Sequence, residues 1–194
     1  MSKKPPIVTK IETFRNPAYS KIFWLQIHTD DGRVGIGETS FSPETVEAWV
    51  HEEAAAYLLG KDARQLDLHW HKLNGFGGRV IARAADMSGQ SAVDMALWDL
   101  YAQRAGVPLY EALGGLSRDR IRVYNTCAGY SYGVNRAGRL ETGDVDHRPG
   151  KLYEDQQAFL TDAGALADDL LSQGFTAMKI WPFDQVVKDR KSVV

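Results

Sequence analysis

Near its N-terminus the chain alternates apolar and polar residues in the way expected of half-buried strands. Over residues 21–29 the alternation puts three apolar side chains on one face: Phe23, Leu25 and Ile27. Asp31-Gly32 follows, a pair that suits a tight hairpin turn because both residues tolerate positive φ. The segments 7–13 and 34–37 read as flanking strands. The pattern predicts a three-stranded antiparallel meander.

After residue 42 the apolar spacing changes from two residues to three and four, which predicts helices. We expect the Ser42 side chain to cap the first helix, with Pro43 in its first turn and Gly60 beyond its end. A second, short helix is expected within residues 64–73. A third helix is predicted from the apolar face formed by Val93, Ala96, Leu97, Leu100 and Tyr101. A further short helix should begin at Pro108. Residues up to about 116 should therefore form an α+β unit.

From residue 118 onward the order of elements changes. Residues 120–126 read as a strand, 159–171 as an amphipathic helix ended by Gly174, and 175–180 as a second strand. A strand, a crossover helix and a strand form a βαβ unit, which implies parallel pairing of the two strands. One such unit neither closes a sheet nor covers both of its faces. We therefore expect an incomplete parallel architecture in this part of the chain.

Composition narrows the choice of function. The net charge of −2 and the lack of basic clusters interleaved with aromatics argue against a nucleic-acid partner. The single cysteine, Cys127, excludes an internal disulfide framework and fits a reducing compartment. The basic N-terminus has no apolar stretch after it, and no apolar run is long enough for a bilayer. A cytoplasmic protein without a membrane partner is the expectation.

The run from 91 to 115 resembles the signature helix and turn of the mandelate racemase and muconate lactonising group of the enolase superfamily. Its matching features extend along the whole run: Ala92, Asp94, Ala96, Trp98-Asp99, Ala102, Pro108 and Leu113-Gly114. The meander with Gly35-Ile36-Gly37-Glu38 is also similar to the capping domain of that group. The resemblance implies an α+β capping domain (three-stranded antiparallel meander plus helices) followed by an incomplete (β/α) barrel. It places an enolase-like N-terminal capping domain at residues 1–117 and a truncated start of the barrel at 118–194.

The same resemblance implies the chemistry of an intact parent enzyme. Such a parent abstracts the proton next to a carboxylate and stabilises the resulting enediolate with Mg²⁺. We expect a hydroxy-acid or sugar-acid dehydratase, with a racemase, an epimerase or a cycloisomerase as alternatives. A complete barrel needs roughly 250 residues, so the chain itself is expected to be an inactive fragment. The other interpretations are a non-catalytic interaction module or one half of a complementing pair, and apolar barrel surfaces would favour homo-oligomers.

Metal binding is expected of the parent rather than of this chain. In the resembled family, three acidic ligands come from the third, fourth and fifth barrel strands, which have no counterpart here. Asp94 and Asp99 lie on the signature helix, where packing and hydrogen bonding are the expected roles. Asp184 alone does not make a magnesium site. We therefore predict no metal bound to this chain.

Lys179 is the predicted catalytic residue, because it lies near the carboxyl end of the second barrel strand. The family often has a Lys-x-Lys pair there, whereas this chain has Lys179-Ile180-Trp181. Trp181 cannot transfer a proton, so Lys179 is expected to hold and polarise a substrate carboxylate oxygen while another group acts as the base. The alternative is a lysine at the end of a strand that extends into solvent.

Trp181 is also predicted to contact the substrate, and further substrate contacts are predicted from loops. Tyr130 and Arg148 belong to the long connection 129–153, which leaves the carboxyl end of the first barrel strand and has the cationic, aromatic character suited to a polar acid. Tyr19 and Phe41 lie in capping-domain loops at positions from which family members reach the substrate, and packing is an equal alternative for both. The histidines are interpreted as structural or solvated: His28, His51, His69, His71 and His147.

Overall fold

The computed structural model describes residues 4–40, 42–74, 85–128 and 155–181 of the chain. It divides into two compact units, Met1–Ser117 and Arg118–Val194. Each unit has its own buried cluster of apolar side chains.

The first unit contains the predicted meander. Its strands are β1 (Val8–Arg15), β2 (Ile22–Thr29) and β3 (Val34–Ser40), in the order β1-β2-β3 with antiparallel pairing throughout. A short 3-10 turn, Pro17–Tyr19, joins β1 to β2. Gly32 in the β2–β3 turn has a φ of 83°, a conformation that glycine adopts without steric cost. The predicted face of β2 is fully buried, so the alternation, the strands and the turn are confirmed.

Helices follow the meander in the described part of this unit. The first helical stretch consists of α1 (Pro43–Trp49), a π-helical turn (Val50–Ala54) and α2 (Ala55–Leu58). They are followed by α3 (Leu66–Leu73), α4 (Ala85–Ala105) and α5 (Leu109–Ala112). All the predicted helices are therefore present.

The cap at Ser42 differs from the prediction. Its side chain makes no capping hydrogen bond, because its backbone is left-handed (φ 49°, ψ 49°) rather than extended as in an ordinary N-cap. The Ser42 carbonyl oxygen instead accepts hydrogen bonds from the amides of Thr45 and Val46. The helix start is therefore stabilised through the backbone alone at this residue.

The core of the first unit lies between the sheet and α4. The buried face of β2 meets side chains from α4 and from the first helical stretch, all with 2% or less of their surface exposed: Val46, Val50, Leu58, Ala92, Val93, Ala96, Leu97 and Leu100. His69 is also buried, as the structural interpretation predicts. Its Nδ1 lies 3.0 Å from the Tyr57 hydroxyl oxygen, and its Nε2 lies 2.9 Å from the Asp62 carbonyl oxygen. Since a carbonyl only accepts, Nε2 carries a proton.

Helix α4 approaches β3 very closely, and two glycines make this approach possible. A Cβ atom on Gly35 would lie 2.1 Å from the Ala96 carbonyl oxygen, and one on Gly37 would lie 1.9 Å from that of Ala92. Real Cβ atoms do not come this close to a backbone oxygen. Glycine is thus required at both positions for the observed packing of helix on sheet.

Two side chains of α4 also bind the backbone of β3. The Ile36 amide donates a hydrogen bond of 2.9 Å to Asp99 Oδ2, and Gln103 Nε2 donates one of 2.8 Å to the Val34 carbonyl oxygen. Asp99 therefore has the hydrogen-bonding role predicted for it.

The second unit contains α6 (Asp155–Ser172) and two extended segments. The predicted strands 120–126 and 175–180 were wrong in extent, because they pair only at a parallel bridge between Asn125 and Met178. Hydrogen bonds surround that bridge, from the Asn125 amide to the Ala177 carbonyl (3.1 Å) and from the Lys179 amide to the Asn125 carbonyl (2.8 Å). The predicted parallel pairing is confirmed there. The pairing does not extend to Ile121, whose surface is 77% exposed.

Helix α6 is also less regular than its periodicity predicts. Asp162 has a non-helical backbone (φ −152°, ψ 85°), which divides the helix in two. Its Oδ1 accepts a hydrogen bond of 2.9 Å from the Ala165 amide, as an N-cap residue does. The helix nevertheless covers the extended segments with a small core: Cys127, Phe159, Leu166 and Leu170, with Phe175, Met178 and Ile180 packed against it.

Candidate functional site

The candidate site lies in the second unit, where both parallel segments end. Lys179 follows directly after the bridge between Asn125 and Met178. Residues at i and i+2 of an extended segment point to the same side, so Lys179 and Trp181 share a face. The Lys179 ammonium nitrogen lies 4.7 Å from the centroid of the Trp181 ring, within the range of a cation–π contact.

The Lys179 ammonium is accessible to a ligand. Lys179 is exposed, whereas Trp181 is half-buried. An ammonium has three donors and no acceptor, and the ring face does not use up those donors. This pair is therefore suited to hold an anionic oxygen, such as that of a carboxylate.

Asn125 connects the two segments to α6. Its backbone pairs with both Ala177 and Lys179. Its side-chain oxygen accepts a hydrogen bond of 2.7 Å from the Cys127 amide, and its side-chain nitrogen donates one of 3.0 Å to Asp155 Oδ2. The Asn125 carbonyl oxygen, which accepts a hydrogen bond from the Lys179 amide, thus belongs to a residue whose backbone and side chain are both fixed by hydrogen bonds.

Cys127 adds an unusual backbone conformation to this site. Its φ of 52° is left-handed, which is uncommon for a residue other than glycine, and its side chain is fully buried. Burial raises the pKa of its thiol, and the negative charge of Asp155 raises it further. Cys127 is therefore poorly suited to act as a nucleophile, because the thiolate is the reactive form. The left-handed turn, held by Asn125, redirects the chain at the end of the first segment.

The described residues of the site do not fit a magnesium ion. Magnesium prefers several oxygen ligands in octahedral geometry. Here the carboxylate of Asp155 accepts a hydrogen bond from the Asn125 side chain, and a single carboxylate does not supply such a ligand set. Across the described ranges, no group of three or more His, Cys, Asp or Glu side chains could hold a metal ion.

The other predicted contact residues lie either in the first unit or outside the described residues. Tyr19 ends the 3-10 turn of the first unit, with 56% of its surface exposed. Phe41, Tyr130 and Arg148 lie outside the described residues. Sequence reasoning missed Asn125 and Asp155. A polar residue at the end of a predicted barrel strand is the signal that could have identified Asn125.

Comparison with known proteins gives a match over most of the first unit. Residues 1–114 match the family model of the mandelate racemase / muconate lactonizing enzyme N-terminal domain. A curated D-galactonate dehydratase of Ralstonia nicotianae is 40% identical over 148 residues, which are 72% of this chain and 37% of that protein. The chain thus spans well under half the length of this relative.

Two solved structures extend the comparison to the fold. An enolase protein from Sargasso Sea environmental sequencing is 38% identical, with a TM-score of 0.72 over 94% of this chain and 41% of its own. An enolase of Pantoea ananatis, solved with bound D-gluconate and Mg, is 30% identical, with a TM-score of 0.56 over 62% of this chain and 30% of its own.

Within the described residues, no helix is long and apolar enough to cross a membrane.

Proposed function

Because the chain belongs to the mandelate racemase / muconate lactonizing enzyme family, we propose that it is part of a sugar-acid dehydratase in which Lys179 contacts the substrate carboxylate. The resemblance carried by residues 91–115 and the capping-domain fold are confirmed by the family match. The D-galactonate dehydratase relative supports a dehydratase over a racemase or a cycloisomerase. The capping domain would be residues 1–117 and the start of the barrel 118–194, the division at which the two compact units separate.

One observation carries the assignment of Lys179: its exposed ammonium is held over Trp181 where the parallel segments end. Dehydration of a 2,3-dihydroxy acid breaks the C–H bond beside the carboxylate and the C–O bond of the neighbouring hydroxyl, releasing water. Negative charge grows on the carboxylate oxygens as the proton leaves. A positioned ammonium beside one of these oxygens stabilises that charge. Lys179 acts as a hydrogen-bond donor in this role, and Tyr19, Phe41, Tyr130, Arg148 and Trp181 are proposed to contact the rest of the acid.

The metal belongs to the same proposal. The Pantoea relative was solved with Mg, and Mg²⁺ is the cofactor proposed for an intact enzyme that includes this chain. The described residues do not provide a group of ligands for it, and the proposal assigns the magnesium ligands to the rest of the intact enzyme. A cytoplasmic location is also proposed, on the basis of the one cysteine in the chain.

Ligand binding to the purified chain tests the role of Lys179. We expect D-galactonate to bind in saturation-transfer NMR and the neutral analogue galactitol to bind far less. Because a hydrogen bond to a charged group contributes about 1.5–3 kcal/mol, Lys179→Gln should weaken galactonate binding about tenfold or more. Lys61→Gln is the matched control, since Lys61 also lies over an aromatic ring, that of Tyr57 in the first unit. Equal binding by the Lys179 variant, or by galactitol, would contradict the assignment.

A non-catalytic role in association is the second candidate, and exposed apolar residues favour it. Ile121 and Val123 have 77% and 60% of their surface exposed in the second unit. Such residues promote association through the unpaired segments, as homo-oligomers or with a complementing chain. Light scattering should show an oligomer for the original chain and a monomer for the double variant Ile121→Ser, Val123→Ser. If both proteins are monomers and acid binding depends on Lys179, the association role is contradicted and the dehydratase proposal is retained.

A further inference from the structure

A groove in the first unit combines two indole rings with a carboxylate. It lies between α3 and α4 and has a volume of about 540 Å³. Trp70 and Trp98 contribute the rings, Asp94 contributes the carboxylate, and Arg64 and Asp67 lie at the same groove. This volume is within the range of small-ligand and side-chain sites.

Asp94 has no described partner for its negative charge. No hydrogen bond or ion pair to its carboxylate is found among the described residues, although the side chain is half-buried. Burial raises the pKa of Asp94, so the ionised form lacks full hydration. Trp98 lies one helical turn later and therefore on the same face of α4 as Asp94. A desolvated carboxylate beside an indole attracts a cation that brings its own donors.

Among the described residues that line the groove, Arg64 is the arginine, and its charge is already paired. Arg64 Nη2 lies 2.7 Å from Asp62 Oδ2, and its Nε donates to both oxygens of the same carboxylate. Arg64 and Asp62 thus neutralise each other. Asp67 adds a second negative charge at the groove, with a side chain that is 91% exposed. The described residues that line the groove therefore carry a net negative charge.

We propose that this groove binds the guanidinium group of an arginine presented by a partner polypeptide. A guanidinium is planar, stacks on indole faces and donates two parallel hydrogen bonds to a carboxylate. The two tryptophans and Asp94 together match these properties, whereas a compact ammonium matches only the charge. Tryptophan and arginine are also the residues that most often dominate the energy of protein interfaces. This inference is independent of the dehydratase proposal, because the groove and Lys179 lie in different units.

Fluorine NMR of the intact chain, labelled with 5-fluorotryptophan, tests the proposal. The chain has five tryptophans, and the resonances of Trp70 and Trp98 are assigned with Trp70→Phe and Trp98→Phe variants. N-acetyl-arginine amide is the probe, its uncharged counterpart N-acetyl-citrulline amide is the control, and tetramethylammonium represents a small organic cation. We expect the arginine probe to shift Trp70 and Trp98 in a saturable way and the citrulline probe to shift neither.

Two variants distinguish the carboxylate of Asp94 from general charge. Asp94→Asn keeps the shape of the side chain and should weaken the arginine probe about tenfold or more. Asp67→Asn removes the same charge from the exposed side chain and should change binding less than about twofold. Trp98→Leu is the second test if Asp94→Asn alters folding, and it should abolish the shift of Trp70.

Three results would overturn the inference. They are equal binding of the citrulline probe, an unchanged affinity in Asp94→Asn, and tighter binding of tetramethylammonium than of the arginine probe. The last result would assign the groove to a small quaternary cation instead of a protein side chain.

Discussion

Replacing Gly37 by alanine probes the contact on which the first unit is built. The new Cβ would lie 1.9 Å from the Ala92 carbonyl oxygen, whereas ordinary contact begins at 3.4 Å. The helix and the strand must therefore separate by about 1.5 Å at this point, the difference of these two distances. Neither atom belongs to a flexible side chain that could move aside.

The cost of this separation follows from the packing around it. A gap of 0.5–1 Å already removes about a quarter to a half of the dispersion energy between two packed atoms. The atoms that would separate belong to the fully buried faces of α4 and β2. Overpacking ordinarily costs about 1–3 kcal/mol, and a backbone clash belongs at the upper end of that range. We therefore expect Gly37→Ala to lower the free energy of unfolding by about 3 kcal/mol or more, a large share of a typical 5–15 kcal/mol.

Urea denaturation followed by far-UV circular dichroism measures this loss, with the slope against urea compared between variants. Ile36→Ala is the matched control, because Ile36 is exposed in the same strand, and it should stay within about 0.5 kcal/mol of the original chain. Ala92→Gly should not rescue Gly37→Ala, since the clash is with the backbone oxygen. If Gly37→Ala is as stable as the Ile36 control, the close approach of α4 and β3 is wrong.

Three further predictions concern individual side chains. Burial alone would raise the pKa of Asp31, but hydrogen bonds from Thr29, Arg33 and Arg104 outweigh it and hold the pKa below its ordinary 3.8; Asp31→Asn should therefore cost on the order of 1 kcal/mol at neutral pH. That difference should persist down to about pH 4 and vanish as pH falls through the lower folded-state pKa, which urea titrations at several pH values would reveal. In the folded chain at pH 8, Cys127 should react with an aromatic disulfide reagent on the order of 100-fold more slowly than in the urea-unfolded chain, because its thiol is buried and its pKa is raised. Equal rates in the two states would contradict the burial. Asp162→Ala should lose about 1 kcal/mol in urea denaturation, whereas Asp162→Asn, which keeps the acceptor, should lose much less.

The elements that the sequence predicted well are those with a local, repeated signal. The alternation in β2 and the apolar stripe of α4 each extend over several residues. The buried positions match them except at Tyr101, which is 40% exposed although it was predicted on the apolar face. The backbone of Ser42 and the break at Asp162 were not predictable in this way. Both depend on single residues that adopt a conformation different from the one their neighbours favour.

The candidate site also has a part that the sequence predicts and a part that it does not. Lys179 could be located because its position at the end of a strand follows from the order of elements. The link from Asn125 to Asp155 joins residues 30 positions apart, and no periodic pattern connects them. The groove near Asp94 was missed for the same reason, since its two walls come from different helices and become adjacent only on folding.

The hydrogen bonds from α4 to β3 bear on how this unit can assemble. As the outer strand of the meander, β3 would ordinarily offer its backbone to a strand of another molecule. Asp99 and Gln103, one helical turn apart, already occupy the Ile36 amide and the Val34 carbonyl on that side. A visiting strand would have to displace both side chains before forming its first pair. The meander is therefore protected against growth by sheet extension at β3, and copies of this unit that associate at that edge must do so through side-chain surfaces.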